Sequence, residues 1–146
     1  MQTWLLYGIV AAFCWGGYII LSKVVTGPNY YGINTNAASL MMLIGIAIVF
    51  VGYFFINGIP QIPSSIGVWS LGILVGILWA LGMVFAFIAI ASGADVSRLN
   101  PIYNTNTLIA VILAIVFLRE IPQGIEIVKV LAGAILITTG AILVSK

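Results

Sequence analysis

An all-α integral membrane protein with five spanning helices is the fold class this sequence predicts, and three observations carry the prediction. Of 146 residues, 63% are hydrophobic and 5% charged, where soluble domains carry roughly 25% charged residues. The five basic and three acidic residues are Lys23, Asp95, Arg98, Arg119, Glu120, Glu126, Lys129 and Lys146. None falls between Val24 and Ala94, a stretch of about 71 residues against the ~20 a helix needs to cross a bilayer. Finally, the five prolines all lie between apolar runs, as expected of a residue that removes a backbone donor from a helix interior.

The runs divide into spans at about 4–25, 33–56, 68–91, 101–118 and 125–144, which together make residues 1–146 one transmembrane domain. Each has ~18 to 24 residues, or ~27 to 36 Å of helix, enough for a ~30 Å hydrocarbon core with some tilt. The first opens at Trp4 and closes past Lys23. The second carries Asn34 and Asn36 at its start, the third begins near Trp69, the fourth follows Pro101, and the fifth holds Glu126 in its first turn. Trp4 and Trp69 both fall where a span begins on the same face and read as an aromatic belt. No run alternates with period two, so a β-barrel is excluded. Connections are short and rich in Gly, Pro, Asn and Ser. Stripes such as Gly8, Ala12 and Gly16, or Gly72, Gly76 and Ala80, predict close helix packing.

Composition excludes most chemistry. With no histidine and one cysteine, Cys14, the chain lacks an imidazole relay, a Cys/His metal site and an internal disulfide. No enzyme activity, cofactor or metal is expected. The basic residues form no cluster, so nucleic acid is not an expected partner. The start of the sequence, Met1-Gln2-Thr3, lacks the positive region of a signal peptide. The expected surroundings are the lipid bilayer of the cell membrane, crossed repeatedly.

Five spans put the ends of the chain on opposite faces. Arg119 and Lys129 then lie on the face of the N-terminus; Lys23, Arg98 and Lys146 lie on the other. Orientation follows the Lys/Arg bias of short loops, and two against three is a weak instruction. Either one residue or a partner still fixes a single topology, or the chain inserts both ways and two copies can associate antiparallel.

Specific residues resemble a family. Trp15-Gly16-Gly17-Tyr18 followed by Ser22-Lys23 is similar to the opening of EamA domains in the drug/metabolite transporter superfamily. Asn100-Pro101, Phe117-Leu118-Arg119-Glu120, and Gly133-Ala134-Ile135-Leu136-Ile137 with Gly140 resemble later motifs of that domain in the same order. The sequence departs at Arg119, where a glycine commonly precedes the glutamate, and in the second span, which has no entrance arginine. Family members typically join two such domains in inverted orientation. The resemblance therefore implies one EamA-type repeat, half the usual transporter, which an antiparallel homodimer would complete.

Depth selects residues for a substrate site. Tyr18 lies ~21 Å along the first span from Trp4; Thr107 lies ~9 Å past Pro101, with Asn104 nearer the surface. Asn100, Asn104 and Thr107 follow i, i+4, i+7 spacing on one helix face. Trp15 and Trp79 fall near mid-depth, away from the interface where tryptophan anchors. Trp15, Tyr18, Trp79, Asn104 and Thr107 are therefore the expected substrate-binding residues, aromatic faces stacking a small molecule and the amide and hydroxyl orienting it. Helix packing is the competing account of each. Lys23, at a span end, reads as a snorkelling anchor. No Asp or Glu lies near mid-membrane, where a proton carrier is usually found. The expected activity is facilitated movement, export by resemblance, of a neutral or zwitterionic metabolite such as an amino acid. Two other readings stay open: an obligate subunit of a heteromeric transporter, and a non-transport membrane assembly or lipid-handling component.

Overall fold

The computed structural model of the chain describes residues 3–61, 64–119 and 125–145. The described residues are helical, with no strand among them. They divide into two compact units, Met1–Gly93 and Ala94–Lys146. Five stretches are long and apolar enough to cross a membrane.

The first unit holds α1 (Thr3–Thr26), α2 (Thr35–Asn57) and α3 (Ile66–Ala91). α2 starts two residues later than expected because Asn34 caps it: its side-chain oxygen accepts from the Asn36 amide at 2.8 Å, satisfying one of the orphan donors of the first turn. α2 ends where Gly58, at φ 83°, donates back to the Phe54 carbonyl. α3 packs against both other helices. Short loops make the three spans alternate in direction, so the end of α1, the start of α2 and the end of α3 share one end of the bundle. The buried residues described in this unit lie there: Ile19, Ser22, Thr26 and Gly27, Ala38, and Ala86, Phe87 and Ile90. The hydroxyls among them do not go unpaired. Ser22 donates to the Tyr18 carbonyl at 2.8 Å and Thr26 to the Ser22 carbonyl at 2.9 Å, so both can be buried without the penalty of a lone polar group.

Loop one is tied to the same end. Tyr31 and Ile33 donate backbone bonds to Val24 and Val25 at 3.1 and 2.9 Å, and Gly27 donates to Lys23 at 2.9 Å. The last carbonyls of α1 are thereby satisfied.

The second unit holds α4 (Val96–Tyr103), α5 (Asn106–Leu113), a π-helical turn (Ala114–Leu118) and α6 (Ile125–Ser145). α4 and α5 both pack on α6, where Ala134 and Ala141 are the buried residues. Arg98 Nε donates to the Val144 carbonyl at 3.1 Å, which places a cation on the last turn of α6 and suits the negative end of its dipole.

Span four differs from expectation. It starts at Val96 with Pro101 inside its first helix, whereas the sequence suggested that the proline marks the border. Near Asn104 and Thr105 the chain turns tightly: Thr105, Thr107 and Leu108 donate to Ile102, Asn104 and Thr105 at 3.2, 3.1 and 3.0 Å. The Thr105 hydroxyl reinforces the break by donating to the Ile102 carbonyl at 2.7 Å. Pro101 withholds only the N–H that would reach the Ser97 carbonyl, upstream of this turn, and α4 continues through it.

The small-residue stripes are also used differently. A Cβ on Gly8, Gly16, Gly72 or Gly76 would meet nothing within 4 Å, so those glycines pack no helix closely among the described residues. Alanines at buried crossings do that work, because a methyl group permits close approach while still filling the space between backbones.

Candidate functional site

Tyr18 is the most enclosed of the expected site residues on α1 and α3. Its ring meets Phe87 of α3 with centroids 6.5 Å apart at 58°. Its hydroxyl oxygen is buried, with the Ser22 side chain nearby but no well-formed hydrogen bond among the described residues. A buried unpaired hydroxyl costs about 1–3 kcal/mol. Tyr18→Phe is therefore expected to leave thermal stability in detergent unchanged or slightly raised. If the phenol oxygen instead serves a bound molecule, the same variant weakens binding, and a titration on the purified protein separates the two effects.

Trp15 and Trp79 stand apart from that enclosure. Trp15 is 67% exposed and Trp79 44%. Because Tyr18 and Phe87 are level, Trp15 lies ~5 Å below them and Trp79 ~12 Å below, a difference of about 8 Å in height. Each ring presents an open face. The side chain of Trp4 lies outside the described set, as do Glu120 and Lys146.

On the second unit, Asn104 and Thr107 are exposed on either side of the break in span four. Where a turn tightens towards 3₁₀ geometry, residues i and i+3 eclipse, so these two share a face. The earlier helix start also moves them inward. Counted from Val96 they lie ~12 and ~17 Å into the span, near its middle, where the sequence had placed Asn104 close to the surface. Asn106, missed by the i, i+4, i+7 pattern because it falls off that stripe, joins them: the Thr107 hydroxyl donates to its side-chain oxygen at 3.4 Å. Two amides and a hydroxyl thus stand open mid-span. They offer donors and acceptors but no charge. The described ionisable residues Lys23, Asp95, Arg98, Arg119, Glu126 and Lys129 all lie at or near helix ends, and no group of metal-binding side chains occurs among the described residues.

Beside this geometry stands the match of residues 2–146 to a single family model, that of the EamA-like transporter family. The chain belongs to that family. An EamA-like transporter is a membrane transporter of the drug/metabolite type, in keeping with five helices long and apolar enough to cross a membrane. Comparison with curated proteins and with solved structures gave no match. Within the EamA-like pattern, one departure now has a structural meaning. Arg119, where the family commonly has glycine, ends the π-helical turn in a left-handed conformation at φ 57°, ψ 29°. Left-handed helix caps usually recruit glycine.

Proposed function

We propose that this EamA-like transporter facilitates movement of a small neutral or zwitterionic metabolite, such as an amino acid, as an antiparallel homodimer working by alternating access. The observation that carries the substrate class is the uncharged polar cluster Asn104, Asn106 and Thr107, open in the middle of span four within a stretch, residues 99–118, that contains no Asp, Glu, Lys or Arg. On the first unit Trp15, Tyr18 and Trp79 offer aromatic surface to a substrate, and on the second Asn104 and Thr107 offer hydrogen bonds that would orient polar groups. An uncharged set offers no carboxylate to carry a proton through the membrane, which favours facilitated movement over proton-coupled antiport. Export is the direction that family resemblance favours. The near-even distribution of basic residues between the two faces supports the antiparallel dimer, which gives a five-span chain the inverted repeat that alternating access uses.

Vesicles reconstituted with this chain alone test the reading. Counterflow of a radiolabelled neutral amino acid from a panel is expected to saturate and to be insensitive to a proton ionophore. Absence of flux with every panel member, recovered only on adding a second five-span protein, would replace the homodimer by a heteromeric transporter. A saturable flux abolished by the ionophore would contradict the uncoupled mechanism.

A further inference from the structure

We propose that Arg119 is an orientation determinant: its charge holds the chain near balance between the two ways of inserting into the membrane. Arg119 is the one non-glycine residue at positive φ among the described residues. That conformation is strained for an L-residue and free of strain for glycine. Its backbone N–H closes the π-helical turn on the Ala114 carbonyl, a bond any residue but proline could make. The side chain is exposed and makes no hydrogen bond or ion pair among the described residues, so no contact with a described side chain offsets the strain. What arginine supplies there, and glycine would not, is a cation at the end of span four.

The position gives that cation leverage. If the five spans alternate across the membrane, as the sequence predicts, Arg119 and Lys129 are the two basic residues on their face, against Lys23, Arg98 and Lys146 on the other. Arg98 has a local role as well, in its bond to the Val144 carbonyl. Arg119 has none. Removing it leaves one basic residue against three, and the Lys/Arg bias then directs the C-terminal face to the cytoplasm. With it, the instruction stays weak. This inference rests on the two-orientation reading of the proposed function and adds the residue responsible.

The test places a cysteine at Ser145 in a Cys14→Ala background and labels intact cells and inverted vesicles with an impermeant maleimide. The parent chain is expected to label about equally from the two sides. Arg119→Asn, neutral and tolerant of the left-handed conformation, should shift labelling at least about threefold towards the cytoplasmic side. Arg119→Gln, of similar size and uncharged, should shift it likewise and guards against a folding defect peculiar to asparagine. Arg119→Lys should keep the parent ratio. A parent ratio retained in both neutral variants, or a shift as large with lysine, would overturn the assignment while leaving the two-orientation reading intact. A parent chain labelled from one side alone would overturn both.

Discussion

Asn104→Ala is expected to reduce transport at least tenfold while leaving dimer content unchanged and thermal stability nearly so; a tenfold loss corresponds to ~1.4 kcal/mol of interaction with the moving substrate. The asymmetry follows from the surroundings of the side chain. Asn104 is exposed, and its amide makes no hydrogen bond among the described residues. Its backbone N–H bonds the Asn100 carbonyl at 3.1 Å, a bond alanine keeps. The break that follows is held by backbone bonds and the Thr105 hydroxyl, which donates to the Ile102 carbonyl, so its geometry does not depend on the amide. Substitutions away from structural contacts usually change stability by within about 0.5 kcal/mol. Flux measured beside a detergent melting curve and a cross-linking ratio decides the matter. Loss of dimer and flux together would mean that Asn104 packs against a neighbouring chain rather than serving the substrate.

Gly27→Ala has the largest expected effect on folding. A Cβ at this position runs directly into the Lys23 carbonyl oxygen and would also press on the Lys23 Cδ at 3.1 Å and Tyr30 Cδ2 at 3.3 Å. The lysine and tyrosine side chains can move; the carbonyl cannot without unwinding the last turn of α1. That turn contains Thr26, 2% exposed, and its carbonyls anchor loop one. A loss of about 2–4 kcal/mol is expected, within the range of backbone clashes at over-determined sites. The folded fraction recovered in mild detergent should fall sharply. Gly76→Ala is the control, since its Cβ meets nothing within 4 Å. A Gly27→Ala protein that melts like the parent would contradict the packing described for this end of the unit.

Apolar runs punctuated by proline made the spans legible, because a bilayer accepts little but long helices and their periodic detail hardly matters. α1, α2, α3 and α6 begin and end within two residues of their expected places. Span four was less legible. Proline was read as a border, yet Pro101 is accommodated inside α4, and the competition between the Thr105 hydroxyl and the helix ladder has no signature in hydropathy. Once that turn tightens, spacing rules built on 3.6 residues per turn misplace neighbouring side chains, which is why Asn106 escaped notice. Its signal was the run Asn104-Thr105-Asn106-Thr107 itself, four residues that favour local bonds to the backbone over a regular helix. Tyr18 was chosen for its depth, and its enclosure by Phe87 depended on how α3 is shifted along α1, which no single span reveals. The glycine stripes misled because small residues permit close approach without compelling it.

Membrane orientation is the central claim most directly open to measurement. A single cysteine beside Gln2, in a Cys14→Ala chain, is labelled with an impermeant reagent from each side of the membrane. Antiparallel pairing of identical chains predicts close to half of the protein labelled from either side. Labelling confined to one side would contradict it, since no inverted partner would then exist among copies of this chain.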